Sequence, residues 1–237
     1  MPSSKESAMD PMFEDRFEAG WRLADALSDY RDRRNCLVLG IPNGGVAVAA
    51  EVARRLRAPL DVVIAQTLRA PQEPVVTIGM IASGGIRVLN ERVLRALSLS
   101  SEEVDRVTED ERRRLQRRED LHRNHKAALP VTGRCVLLID NGAATGTSVQ
   151  VAARAVVAQR PMELAVALPV VSPEALGCIG ELADRVIHLS APQPFVAIEQ
   201  SYLAFPRLTD EEVRHLLAET NAHVNTVRGE RPNGGVL

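Results

Sequence analysis

The segment that most constrains the fold runs from Cys135 to Ser148. Five apolar residues, Cys135 to Ile139, lead into Asp140 and Asn141, then Gly142-Ala143-Ala144-Thr145-Gly146-Thr147-Ser148, then an Ala/Val-rich stretch. An unbroken apolar run of this length reads as a parallel strand buried on both faces. The small residues after it form a loop whose N–H groups and hydroxyls crowd at a helix N-terminus, a ready phosphate site. Asp140, at the strand end, stands where a sugar hydroxyl beside that phosphate needs an acceptor. Strand, acid, loop and helix together predict a clamp for ribose 5-phosphate. Competing glycine motifs fit worse: no Lys follows Gly146, so a Walker A loop is absent, and the spacing is not that of a dinucleotide fingerprint.

The rest of the chain alternates strands and helices. Leu37 to Ile41 reads as a buried strand ending in Pro42-Asn43-Gly44-Gly45, with a helix over Val46 to Leu56 and a strand over Leu60 to Ala65. Strand–helix–strand at this length is a right-handed βαβ unit. Further strands are predicted at Glu163 to Val170 and Arg185 to Leu189, with a helix near Pro173 to Leu182 between them. Thr77 to Ala82 and Ile86 to Leu89, around Ser83-Gly84-Gly85, predict a β-hairpin. Residues 101–126 predict a long charged helix, a solvated face or an oligomer contact. An N-terminal helix is read from Asp10 through Phe13, Phe17, Trp21, Ala24 and Leu27, with Pro11 in its first turn. A last helix starts at Thr209 with Glu212 at capping-box spacing. Residues 1–9 and the stretch from Asn221 to the end read as loose tails. The fold class is therefore α/β, a doubly wound parallel sheet with ligands at the strands' C-terminal ends.

Composition excludes more than it proposes. A net charge of −2 over 237 residues leaves no electrostatic footprint for nucleic acid. No apolar run approaches a membrane span, and no signal-peptide core opens the chain. Three widely spaced cysteines predict buried free thiols in a reducing compartment, hence a cytoplasmic protein. No Cys/His cluster has zinc spacing.

The segment Val136 to Thr147 resembles the 5-phosphoribosyl 1-diphosphate (PRPP) motif of the type I phosphoribosyltransferases: four apolar residues, two acids, then Gly-x-x-Thr-Gly. The similarity extends over about residues 10–218 and is strongest to a bacterial branch of that family. Shared features are Phe13-Glu14-Asp15-Arg16, Ala19-Gly20, Ala70-Pro71, Leu89-Asn90-Glu91 and Pro194-Phe195, with Leu39 to Val46 similar to the pyrophosphate loop. The resemblance implies a hood at about 190–206 and a β-hairpin and helical insertion at about 66–126. It implies a phosphoribosyl transfer between PRPP, with its Mg²⁺, and a nitrogenous acceptor. It also implies a small-molecule substrate, no nucleic acid or membrane partner, and a homo-oligomer.

Transferred residue by residue, the resemblance gives the 5-phosphate to Gly142, Ala143, Ala144, Thr145, Gly146, Thr147 and Ser148. Asp140 and Asn141 take the catalytic positions at the ribose, Asp140 also meeting the metal. Asn43, Gly44 and Gly45 face the pyrophosphate, with Arg69 as a compensating cation, and Phe195 stacks on an acceptor ring. Tyr202, Glu199 and Gln200 are further hood candidates, with packing the alternative role for the aromatics. Four positions depart from the branch: Asn43 stands where Arg is usual, Gln66-Thr67 where Arg-Lys is usual, and Asn141 where an acid is usual. All four lower the charge around one ligand. This leaves two expectations, a transferase with a weakened pyrophosphate site or a non-catalytic ribose-phosphate or nucleotide binder.

Overall fold

A computed structural model describes residues 12–229. Its central sheet is β1 (Cys36–Gly40), β2 (Leu60–Val62), β6 (Cys135–Ile139), β7 (Glu163–Val170) and β8 (Arg185–Ser190), in the order β2-β1-β6-β7-β8. Every pairing is parallel, with Leu39 opposite Leu138 and Leu138 opposite Val166. Counted along the sheet's own strands this is order 2-1-3-4-5. The chain reverses direction of winding between β1 and β6, which makes their carboxyl ends the topological switch point.

Helices cover both faces, as fully apolar strands require. On one face α1 (Arg16–Ala26), α2 (Gly44–Leu56) and α7 (Asp210–Arg228) pack over Val38, Leu60, Leu137, Ile139 and Ala165. On the other, α5 (Thr147–Val157) and α6 (Pro173–Gly180) cover Leu37, Leu39, Val136, Leu138 and Val166. Alternate residues of each strand thus feed opposite cores.

The insertion is a second, antiparallel sheet, β3 (Ala65–Arg69), β4 (Thr77–Ala82) and β5 (Arg87–Leu89), backed by α3 (Glu91–Ala96) and α4 (Ser101–His122) around Leu68, Ile78, Ile81 and Leu115. The single strand read over Leu60 to Ala65 is therefore two: the chain leaves the parallel sheet after Val62 and enters the other sheet at Ala65. The predicted solvated helix also needs correction at its C-terminal end. There Arg123, at the C-cap of α4, bonds Asp61 Oδ1 at 2.8 Å and the Val62 carbonyl at 2.8 Å, and Glu119 and His122 are buried.

Both chain ends differ from expectation. Asp15 caps α1, accepting from the Phe17 and Glu18 amides at 2.8 and 2.9 Å, so the helix starts five residues later than Pro11 suggested. Its buried face is Ala19, Gly20, Leu23 and Ala24, while Phe17 and Trp21 point outward. Small residues won that face because α1 lies directly on α2. Asn221, assigned to a loose tail, sits inside α7 and brackets the edge strand: it accepts from Leu60 N at 2.9 Å and donates to Leu60 O at 2.8 Å. Helix α7 begins with the predicted capping box between Thr209 and Glu212 and ends at Gly229. Residues 1–9, Asp10 and Pro11, and the tail beyond Gly229, lie outside the described residues. Cys36 and Cys135 are free and buried, but Cys178, also free, is exposed on α6.

Candidate active site at the switch point

Two helix N-termini converge where β1 and β6 end. The first belongs to α5. Gly146 precedes it at φ 71°, a left-handed conformation that glycine adopts without steric cost. This turn aims the loop outward: Ala144, Thr145, Thr147 and Ser148 are exposed, and Thr145 Oγ1 lies 3.0 Å from Thr147 Oγ1. Behind them the loop is tied down by Ala143 N to Val170 O at 3.0 Å, Ser172 N to Ala143 O at 2.9 Å and Ser172 Oγ to Ala144 O at 2.5 Å. Gly142 is buried against Val170 and Ile198. The amides of Ala144, Thr145, Gly146 and Ser148 find no acceptor among the described residues. Free donors on a braced loop, at the positive end of a helix, are what an anion requires.

Asp140 ends β6 beside this loop. Its Oδ1 accepts from the Asn141 amide at 2.7 Å. Burial raises its carboxyl from the usual 3.8 to about 7, against the lowering effects of that hydrogen bond and of the Arg16 charge. A carboxylate that is half neutral near pH 7 is a candidate site group rather than a surface acid.

The second N-terminus, that of α2, comes close enough that side chains are excluded. A Cβ on Gly45 would lie 2.8 Å from both Asp140 Cα and Asp140 Oδ1. The Pro42–Asn43 peptide leading into it is cis. Asn43 does not face outward: its amide nitrogen bonds Leu208 O at 2.7 Å and Asp210 Oδ1 at 3.2 Å, and its oxygen accepts from Arg118 Nη2 at 2.7 Å. Arg118 Nη1 also reaches Gln66 Oε1 at 3.4 Å, and Nη2 reaches Asp210 Oδ1 at 3.0 Å. Thus α4 carries a guanidinium to two of the positions that lack a cation. Burial pushes Asp210 up, but hydrogen bonds from Arg118 and His122 outweigh it and hold it below the usual range. His122 is buried, which lowers its own pKa against the raising effect of Asp210, and its Nε2 lies 3.0 Å from Asp210 Oδ1.

Arg69, the cation expected to compensate, points elsewhere: it is exposed and bonds the Pro74 carbonyl at 2.9 Å. Its place near the loop is taken by Arg118 and by Arg16, to which residue type and spacing alone give no role. Arg16 is 6% exposed, its guanidinium carbon 3.6 Å above the Phe205 ring and its Nη1 2.6 Å from Pro206 O. Asp15-Arg16 was noted in the opening segment, a signal without a stated function. Arg118 lay in a run of charged residues that offered none.

The hood closes the site from the β8 side. Tyr202 is buried between Phe13 and Phe205, with ring centroids 5.3 and 5.0 Å away, and donates its hydroxyl to Asn141 O at 2.5 Å. It braces the loop and is unavailable for stacking. Phe195 is half-buried against the same cluster, and Glu199 and Gln200 are exposed on a short turn, Ile198–Ser201. Among the described residues no three His, Cys, Asp or Glu side chains gather as a metal site. One carboxylate with an amide beside it suits a Mg²⁺ held chiefly by a ligand's own phosphates and water.

An open parallel sheet of order 2-1-3-4-5, with two helix N-termini beside a strand-end acid at the switch point, defines an α/β protein of the doubly wound class. The chain belongs to the phosphoribosyl transferase family: the profile of the phosphoribosyl transferase domain matches residues 15–195. It is 36% identical over 202 residues to two Mycobacterium tuberculosis proteins named "Putative phosphoribosyl transferase", MT0597 and Rv0571c, a match covering 85% of this chain. The chain spans only 45% of the length of those relatives. Protein TT1426 from Thermus thermophilus has a similar structure, with a TM-score of 0.74 at 39% identity over 87% of this chain and 98% of that one. No described helix is long and apolar enough to cross a membrane.

Proposed function

We propose that this protein binds PRPP and transfers its phosphoribosyl group to, or from, a nitrogenous acceptor. The observation that carries the reading is Asp140, set between a loop of free amides at α5 and the glycine end of α2. In this reading the amides and hydroxyls of Ala144 to Ser148 hold the 5-phosphate. Asp140 meets the ribose hydroxyls, and the end of α2, with Asn141 beside it, receives the pyrophosphate. Phosphoribosyl transfer passes through a cationic sugar, so the protein contributes position and stabilisation of the departing anion rather than a nucleophile. Mg²⁺ would travel on the pyrophosphate and offset its charge, with Asp140 as the nearest carboxylate. The acceptor would enter beneath Phe195.

The non-catalytic alternative drew its support from uncharged Asn43, Gln66, Thr67 and Asn141. The cations Arg118 and Arg16 weaken that support, because they bring positive charge to the same end of the sheet from other elements. The test is calorimetric titration with PRPP and with ribose 5-phosphate, with and without Mg²⁺, followed by pyrophosphate release in the presence of purine, pyrimidine and other nitrogenous acceptors. Binding of both ligands with release on one acceptor class is expected. Absence of binding to either would overturn the reading.

A further inference from the structure

Gly44 opens α2, and the space a side chain would fill there is bordered by two nitrogens. A Cβ built on Gly44 would collide with Asn141 Nδ2 and lie 2.9 Å from Arg16 Nε. Each nitrogen carries an N–H, and neither has an acceptor among the described residues. For Arg16 this is costly, since the residue is almost wholly removed from solvent and its other contacts engage Nη1 and the flat face of the guanidinium. Buried donors are nearly always paired, and an orphan at a conspicuous place marks a missing partner. One buried orphan, Arg16 Nε, and one partly exposed donor without a protein partner, Asn141 Nδ2, stand beside one helix N-terminus where the backbone is already positive, and together they call for an anion.

We infer that Arg16 and Asn141 form a paired-donor seat over Gly44 for the phosphate groups of a pyrophosphate-bearing ligand. Arg16 is the fixed charge of that seat, and Asn141 is a donor rather than a diminished acid. A carboxylate at 141 would accept the Arg16 N–H itself and add a negative charge facing the ligand. An amide adds a second donor instead. The absence of a side chain on Gly44 keeps the seat open. The hood holds Arg16 through Pro206 and Phe205, and the loop holds Asn141 through Tyr202, so both donors are placed before a ligand arrives. The anion seat stands on these contacts alone. Its assignment to the leaving group of PRPP rests on the function proposed above.

The test uses inorganic pyrophosphate and ribose 5-phosphate as separate probes, titrated calorimetrically into the full chain and its variants. Gly44→Ala places a methyl group in the seat and displaces the side-chain ends of Asn141 and Arg16 that border it, while the backbone keeps a helix-favouring residue, and circular dichroism checks that folding is retained. Gly44→Ala and Arg16→Gln should each weaken pyrophosphate roughly tenfold or more, while ribose 5-phosphate changes by less than about threefold. Asn141→Asp should weaken pyrophosphate in the same sense. Should Arg16→Gln unfold, Gly44→Ala decides alone. Pyrophosphate affinity unchanged in Gly44→Ala overturns the inference. So does a wild type that does not bind pyrophosphate, or binding that is lost in Gly146→Val but kept in Gly44→Ala, which would put the anion at α5. Pyrophosphate binding sensitive to Gly44, with ribose 5-phosphate never bound, upholds the seat and overturns the proposed function instead.

Discussion

Arg118 Nη2 lies 2.7 Å from Asn43 Oδ1, although the two residues sit 75 positions apart on the insertion helix and the loop after the first strand. The same guanidinium reaches Gln66 and Asp210. Two neutral side chains, Asn43 at the start of α2 and Gln66 on β3, are therefore paired with a cation supplied by α4, and Asp210 with His122 holds it there.

This arrangement changes what restoring charge should do. Asn43→Arg alone would set one guanidinium against another, with only Asp210 between them. Arg118→Ala should weaken PRPP roughly tenfold to a hundredfold while ribose 5-phosphate is little affected, each lost charge-assisted hydrogen bond contributing about 1.5–3 kcal/mol. Adding Asn43→Arg to that variant should recover much of the PRPP affinity. Titration of the three proteins decides it: a double variant no better than Arg118→Ala would mean that Arg118 only ties α4 to α7.

Gly146→Val should remove ribose 5-phosphate binding by roughly a hundredfold or more. A β-branched residue at φ 71° cannot keep the turn that exposes the four amides, and its Cβ would press on Ala175 at 3.2 Å. Circular dichroism should still show the folded spectrum, because the loop lies outside both cores. Wild-type affinity in this variant would remove the phosphate from α5.

Asp140 should make ribose binding depend on pH. Its carboxyl, raised by burial to about 7, accepts from sugar hydroxyls only once ionised, so ribose 5-phosphate affinity should climb as pH rises through about 7. The ligand's own phosphate loses its second proton near pH 6. Asp140→Asn separates the two, since it should delete the step near 7 and keep the one near 6. Inorganic phosphate should lose much less affinity than ribose 5-phosphate in that variant. Equal losses for both ligands would make Asp140 a structural acid.

The same carboxyl sets a stability trend in the ligand-free protein. A folded-state pKa above the unfolded value of 3.8 favours folding at low pH, and that contribution is lost as pH rises through about 7. The slope from this group is at most about 1.4 kcal/mol per pH unit. Thermal unfolding between about pH 4 and 7 should show a decline in the wild type that levels off above about 7 and is absent in Asp140→Asn. Parallel curves would mean that the carboxyl ionises at its ordinary value.

Asn221→Ala should destabilise the protein by about 1–3 kcal/mol, because it leaves both the N–H and the carbonyl of Leu60 without a partner. Those groups lie on β2, the open edge of the sheet, which α7 covers. Urea unfolding measures the loss. A variant as stable as wild type would show that water replaces the amide without cost.

Residue type and spacing alone determined the parallel sheet, the loop at Thr145 to Ser148 and the strand-end acid. Each of these depends on neighbours within a few positions: apolar runs for buried strands, small residues for the turn, Thr209 and Glu212 for the cap of α7. The face of α1 did not follow. Phe17 and Trp21 repeat at helical spacing, but so do the smaller Ala19, Leu23 and Ala24, and only the closeness of α2 decided between them. The break between Val62 and Ala65 was hidden for a similar reason, since a strand that changes sheets keeps the same local pattern.

The cations of the site belonged wholly to the tertiary structure. Arg16 and Arg118 come from two different helices: Arg16 belongs to a segment shared with relatives but without a role of its own, and Arg118 resembles any solvated arginine. Arg16 acquires its meaning when the hood buries it beside Gly44, and Arg118 when α4 folds back onto α2 and α7. Local chemistry sets which backbone can receive an anion. Which charges face it depends on contacts closed over more than a hundred residues, such as that between Arg16 and Pro206, and those form only when the packing of whole elements offsets the entropy of closing such loops.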